Sequence, residues 1–264
     1  MSKFSQYLEN LTAEWIRGTD FPSAPLSLQL ALSTADPLDD GSGLAEPSGG
    51  SYIRQAITFN PAATTASGVQ ITSDSGIVFP IATVAYGVIT HIAVFDSSGT
   101  NMLFFAPLAV SKSYNIGDPF SFAAGDISHT IKPKFSTYFA TQIANWINGT
   151  TMPTAPANVQ LALSTADPLA DGSGLSEPPN TDGYQRQNIT FGSPSAVVGT
   201  GTTLTSDISV VFGPANTNDW PSVDHGALIA GSDVLVFASL AVPKTAEIGD
   251  GIPFAIGSVS FTIK

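Results

Sequence analysis

The residues best suited to chemistry lie in a stretch that the chain carries twice. Residues 30–47 read LALSTADPLDDGSGLAEP and residues 161–178 read LALSTADPLADGSGLSEP. Three acids are common to both: Asp36 and Asp167, Asp40 and Asp171, Glu46 and Glu177. Carboxylates this close could ligate a hard cation such as calcium, which takes about six or more oxygens. The spacing fits no EF-hand loop, and Asp39 of the first stretch is Ala170 in the second. A turn accounts for more of the letters. In Asp36-Pro37 the Asp bonds forward to the backbone and Pro fixes φ. Asp40-Gly41 and Ser42-Gly43 offer positive-φ positions. Leu38 and Leu44 would pin the loop to a core from both sides, and Ser33 or Thr34 would cap the preceding strand. The turn reading is preferred, with the six acids kept as weak cation candidates.

Other chemistry is sparse. The histidines are His91, His129 and His225. His129 aligns with Phe261 and therefore fills a strand position. His91 and His225 correspond, near the start of a predicted strand. A Ser–His–Asp triad would need a nucleophile held near His91, and no G-x-S-x-G elbow occurs. Nothing singles out a glycosidase carboxylate pair. There is no Walker A or G-x-G-x-x-G motif, and the sequon Asn148-Gly149-Thr150 falls at a predicted helix end. No catalytic residue, cofactor or metal is assigned. Tyr86 and Trp220 occupy matching places and could be exposed aromatics for sugar binding, although core or interface packing fits them better.

The elements that must hold these residues are also duplicated. KFSQYL at 3–8 returns as KFSTYF at 134–139, and YIRQAITF at 52–59 as YQRQNITF at 184–191. Ile116-Gly117-Asp118 returns as Ile248-Gly249-Asp250. The chain of 264 residues is thus two units, 1–132 and 133–264, each with net charge −6. The period is far above that of solenoid repeats, so this is a domain duplication.

Each unit opens with a helix signal. Phe4, Leu8, Leu11 and Trp15 share one helical face, as do Phe135, Phe139, Ile143 and Trp146. Gly18 and Gly149 follow as left-handed stops. The period then changes to two. Leu26, Leu28, Leu30 and Leu32 alternate with Ser27, Gln29 and Ala31, and residues 52–59 alternate likewise. Further strands are expected at 69–72, 76–80, 88–95, 102–108, 119–123 and 126–131, separated by Gly-rich turns. The fold class expected is mainly β: two tandem antiparallel, jelly-roll-like β-sandwich domains, each with an N-terminal α-helix. About 130 residues suffice for a self-standing core. Trp15 and Trp146 are expected to pack on their own sandwiches.

Composition narrows the partners. Lys and Arg number 9 against 21 Asp and Glu, for a net charge of −12. Phosphate binding needs a basic footprint, so nucleic acid is not expected, nor is an anionic membrane. No run approaches a transmembrane span. Zero cysteines exclude disulfides and thiolate sites, and the amphipathic N-terminus is unlike a signal peptide. Only 11% of residues are charged, which favours apolar or neutral polar contacts with partners.

Taken in order, W-I-x-G-T, LALSTADP, EP-x-x-x-x-G/S-Y-x-R-Q-x-I-T-F, T-H-I-A-V-F-D and F-F-A-P-L resemble a family of small virion structural proteins of tailed bacteriophages. These are described as tail-fibre-like or head-decoration proteins. The resemblance covers both units, and departs at the hairpin HGALIAGSDVLVFASL. It implies assembly into virions, in the host bacterial cytoplasm, with no catalytic residues. The function expected first is capsid decoration: a cement protein that binds the head surface and stabilises capsomer contacts. The alternatives are a tail, fibre or baseplate component, or a host-surface carbohydrate-binding module. Partners would be the major capsid protein or tail proteins. A homo-oligomer is expected, and a homotrimer of two-unit chains would show six similar units. The candidate interaction surface comprises Asp36, Pro37, Leu38 and Leu44, their equivalents Asp167, Pro168, Leu169 and Leu175, and Tyr86 with Trp220.

Overall fold

The structure is a computed structural model and describes residues 2–132 and 134–264. Repeat 1 contains β1 (Lys3–Phe4), α1 (Gln6–Ile16), β2 (Leu28–Ser33), β3 (Gln55–Ile57), β4 (Ala63–Thr65) and β5 (Gly68–Thr72). It continues with β6 (Ile77–Phe79), β7 (Gly87–Phe95), β8 (Met102–Tyr114), β9 (Phe120–Phe122) and β10 (Ser128–Ile131). Repeat 2 contains α2 (Thr137–Ile147), β11 (Val159–Ser164), a single 3-10 turn (Asn180–Asp182), β12 (Gln187–Ile189), β13 (Ser195–Val197) and β14 (Gly201–Thr205). It ends with β15 (Val210–Phe212), β16 (Trp220–Ala230), β17 (Asp233–Ala246), β18 (Ile252–Phe254) and β19 (Ser260–Ile263).

The sheets are antiparallel and match between repeats. Repeat 1 has the orders β1-β8-β7-β2-β3, β10-β5-β4 and β6-β9. Repeat 2 has β12-β11-β16-β17, β13-β14-β19 and β15-β18, and a lone Phe135–Val236 bridge stands where β1 pairs β8. The two central hairpins differ at their tips. Ala230 pairs Asp233 across a two-residue turn whose first residue, Gly231, has φ 61°, the conformation a tight hairpin requires. In repeat 1 the tip runs from Asp96 to Asn101, whose backbones bond at 3.0 Å.

Both helices are capped by serine. Ser5 Oγ accepts from Leu8 N at 3.2 Å and Ser136 Oγ from Phe139 N at 3.1 Å. The helices therefore start later than their apolar spacing suggests, and Phe4 belongs to β1. At the other end Gly18 and Gly149 take φ 96° and 85°, closing both helices as expected. Two strand expectations also change. Leu26 is 97% exposed and lies before β2, and within the 52–59 segment Gln55–Ile57 forms β3 while Phe59 makes a lone bridge to Ser73. β8 runs on to Tyr114, longer than the apolar pattern.

The largest departure concerns how the repeats meet. α1 packs on its own β8 and on β14 and β19 of repeat 2, while α2 packs on its own β17 and on β5 of repeat 1. One buried apolar cluster contains Phe4, Leu8 and Trp15 together with Phe139, Trp146, Leu204 and Phe212. The expectation of separate cores is therefore corrected: each helix is a wall of both halves. The cause is its apolar width. Leu8, Ala13, Trp15 and Ile16 are all buried, more than one sheet can cover. The expected division between Lys132 and Pro133 falls at a residue outside those described.

Candidate functional site

The duplicated acidic stretch is a helix-docking loop. Ser33 ends β2 with its hydroxyl donating to Ala35 O at 2.8 Å and accepting from Ala45 N at 3.0 Å. Ser164 does the same with Ala166 and Ser176. Asp36 Oδ1 accepts from Leu38 N at 3.1 Å and Asp40 Oδ1 from Ser42 N at 2.9 Å. The second copy repeats both bonds, at 2.9 Å for Asp167 and 3.0 Å for Asp171. Hydrogen bonds to the charged form, led by Ser42 N for Asp40 and by the Ser173 hydroxyl for Asp171, hold both below the usual carboxylate range. At the loop's apex Gln6 N donates to Asp39 O at 2.7 Å, and Thr137 N donates to Ala170 O at 2.6 Å. Each loop thus satisfies the first free N–H of its helix.

Two details of the loop differ from the sequence reading. Leu44 packs on Ala31, Phe95, Met102 and Phe105, and Leu175 on the equivalent cluster. Leu38 and Leu169 do not reach the core; they are exposed, with φ 59° in both copies. Gly41 and Gly172 have φ 79° as expected. Gly43 and Gly174 are instead required by close approach, since a Cβ would lie 2.2 Å from Asp36 O and 2.0 Å from Asp167 O.

The third acid has a different duty. Glu46 receives Arg54 through Nη2 at 2.5 Å and Nε at 3.0 Å, and Tyr52 OH at 3.0 Å. Arg54 also lies 3.8 Å over the Phe95 ring and donates to Gly99 O at 2.7 Å. Glu177, Arg186 and Tyr184 repeat the bracket, with Tyr184 OH at 2.7 Å. Each tyrosine oxygen also accepts a backbone N–H, from Leu32 or Leu163. Burial pushes both hydroxyls well above their ordinary value. Asp36, Asp40 and Glu46 therefore already have hydrogen-bond partners in separate arrangements. Among the described residues, no three acidic or histidine side chains come together as a metal cluster.

Tyr86 and Trp220 are buried, which corrects their place in the candidate surface. Tyr86 OH accepts from Tyr52 N at 2.7 Å and donates to Gly49 O at 3.0 Å, and Trp220 Nε1 donates to Asp182 O at 2.8 Å. Both brace the segment after the acidic loop. Pro37 and Pro168 are buried too, whereas Asp36, Leu38, Asp167 and Leu169 are exposed.

His129 fills its strand position, stacked between Phe104 at 4.4 Å and Phe4 at 5.0 Å. Neither ring nitrogen has a partner, and burial lowers its pKa to about 3. Among the described residues a triad-like chain does occur, in repeat 2. His225 Nδ1 lies 2.7 Å from Asp224 Oδ1, and Ser239 Oγ lies 3.1 Å from His225 Nε2. No local motif announces this serine, because it is the hairpin register that brings Ser239 opposite His225. Ser239 is exposed and the Asp224 side chain is 46% exposed, unlike the buried carboxylate that orients a catalytic histidine. At the equivalent places repeat 1 has Thr90 and Pro107.

Contacts between the repeats form the remaining site. Trp15 Nε1 donates to Pro153 O at 2.9 Å and Trp146 Nε1 to Pro22 O at 3.0 Å. The Trp15 ring stacks on Phe139 with centroids 4.9 Å apart. Arg17 Nε donates to Phe191 O and Asn148 Nδ2 to Asn60 O. The two tryptophan bonds are reciprocal, as in a two-fold dimer. Beside them a cleft of about 980 Å³ is lined by Lys3, Glu9, Asp39, His129, Thr203 and Lys264, among others.

No helix among the described residues is long and apolar enough to cross a membrane. A family model described as "Podophage GP4 fiber I protein gp80" matches residues 3–130 and again residues 134–262. No curated protein matches the sequence.

Proposed function

The chain belongs, in both of its repeats, to the family described as podophage GP4 fiber I protein gp80, and from that membership we infer that it serves as a fibre component of a bacteriophage virion. It is a virion structural protein on the coarser level, and the double match to a family described by a fibre protein supports the finer reading. The fibre placement is taken over capsid decoration because the family's described member is a fibre protein.

The physical character of the chain supports a role as a part rather than a catalyst. The acids that could have ligated a cation close turns or pair with arginine. The Ser239–His225–Asp224 chain is solvent-exposed and belongs to repeat 2. Apolar positions repeat on the surface: Val78 with Val211, Val110 with Val242, and Ile116 with Ile248 are each more than half exposed. A protein that works inside a larger particle leaves such positions for neighbours. Its partners in this reading are other virion proteins and further copies of the same chain, with units at 1–132 and 133–264. A homotrimer would present six similar units around a shared axis.

Gold-labelled antibody against the protein, viewed on purified particles, tests the placement. Label on fibres at the tail supports the reading. Label spread over the head shell supports decoration instead.

A further inference from the structure

Glu9 and Asp39 meet repeat 2 on one side of the pseudo-two-fold contact. Glu9 lies on the inward face of α1 and is 2% exposed; Asp39, at the apex of the first loop, is 7% exposed. Their four carboxylate oxygens find few donors. Thr202 Oγ1 is 3.1 Å from Glu9 Oε2 and equally near Asn10 Oδ1, so its single proton is contested. Gly199 N donates to Asp39 Oδ2 at 2.7 Å. Asp39 Oδ1 is buried without a partner. Both donors come from repeat 2 and both carboxylates from repeat 1.

The mate contact is built without charge. Ala140 stands on α2 where Glu9 stands on α1, and Ala170 replaces Asp39 in the second loop. Val69 pairs Ile131 as Thr202 pairs Ile263, so an apolar residue faces α2 at the equivalent place. The fold therefore closes without these acids, and their presence on one side is an addition.

Two buried carboxylates with so few donors cannot both be comfortable as anions. Burial raises the Glu9 pKa to about 7, and the Asp39 charge adds to the rise. The Thr202 hydrogen bonds, and after them Lys264, pull the other way. The same cleft is faced by Lys3 from β1, Asp36 from the loop, His129 from β10, and Lys132 and Lys134 from the junction. His129 is neutral there, and among the described residues none of these lysines makes an ion pair with either acid.

We propose that Glu9 and Asp39 form a proton-operated clasp between the two repeats. With a proton, Glu9 is neutral, gains a donor, and seats α1 against β14. When the proton leaves, two buried anions repel, α1 loosens from β14, and the first loop loosens from the Gly199 turn that joins β13 to β14. The opposite contact, α2 against β5, does not respond. This stands on the contact geometry and is independent of the fibre reading.

Hydrogen–deuterium exchange on the full chain at pH 5 and pH 8, corrected for intrinsic rates, tests it. Opening of residues 195–205 is expected to rise about tenfold or more at pH 8, while residues 68–72 stay unchanged. Glu9→Gln should abolish the difference. Glu9→Ala, which installs the residue found at position 140, should do the same and covers failure of the glutamine variant to fold. Equal opening of residues 195–205 at both pH values overturns the proposal. So does a pH difference that survives in the folded variants.

Discussion

The indole nitrogen of Trp15 bonds the carbonyl oxygen of Pro153, 138 residues further along the chain. Trp146 returns the same bond to Pro22. Each repeat thus holds the other by its own helix, and the duplication is the reason such an exchange closes within one chain.

Replacing Trp15 by Phe removes one buried hydrogen bond and should cost about 1 kcal/mol. Trp15→Ala also leaves a cavity and should cost about 3–5 kcal/mol. The same series at Trp146 should match it. Urea unfolding followed by fluorescence and by circular dichroism checks both. Because the core is continuous, the two signals should fall in one transition for every variant.

Arg54→Ala should destabilise by about 1–3 kcal/mol, since it strands a half-buried Glu46 and uncovers Phe95. Arg54→Lys should recover little, because lysine cannot give the forked bond. Arg186→Ala strands Glu177 in the same way but uncovers no aromatic ring, so its cost should be no larger. Denaturation midpoints in parallel decide this.

Two buried groups set opposing pH dependences. The folded pKa of His129, about 3, lies below its ordinary 6.5. Its contribution is therefore complete above pH 6.5 and is lost as pH falls toward 3. The folded pKa of Glu9, about 7, lies above its ordinary 4.5. Its contribution is complete below pH 4.5 and is lost as pH rises to 7. His129→Phe, which copies Phe261, should gain melting temperature over native protein as pH is lowered from 6.5. Glu9→Ala should gain over native protein as pH is raised from 4.5 to 7. Thermal scans across pH 3–8 give both differences.

Ser239 should not label with a fluorophosphonate probe at neutral pH, because its histidine is oriented by a solvated carboxylate. Intact mass after incubation reads the outcome, with adduct at Ser239 as the contrary result.

Chelation with EDTA should leave the melting temperature unchanged, since the loop carboxylates already accept from backbone N–H groups or arginine. A fall on chelation, reversed by calcium, would restore a cation to Asp36 and Asp40.

The repeat, the two helices with their glycine stops and the turn chemistry of the acidic loop were legible because they rest on residue identity and spacing. Ser33, Asp36 and Asp40 bond within a few residues or across one turn. The destinations of the tryptophans were not legible. An apolar stripe records that a face is buried but not by which sheet. Leu38 looked like a core anchor because its φ of 59° is invisible in a sequence. The change from Asp39 to Ala170 was visible and weakened the cation reading. Its positive meaning needed Gly199, 160 residues away. Ser239 meets His225 only through a hairpin register containing bulges, which alternation alone does not specify.

The fibre assignment is tested most directly by counting chains in purified virions, by quantitative mass spectrometry against the shell protein. A fibre component should be present at on the order of ten copies per particle, set by tail symmetry. A copy number that tracks the shell protein, on the order of hundreds, would contradict it and place the chain on the head.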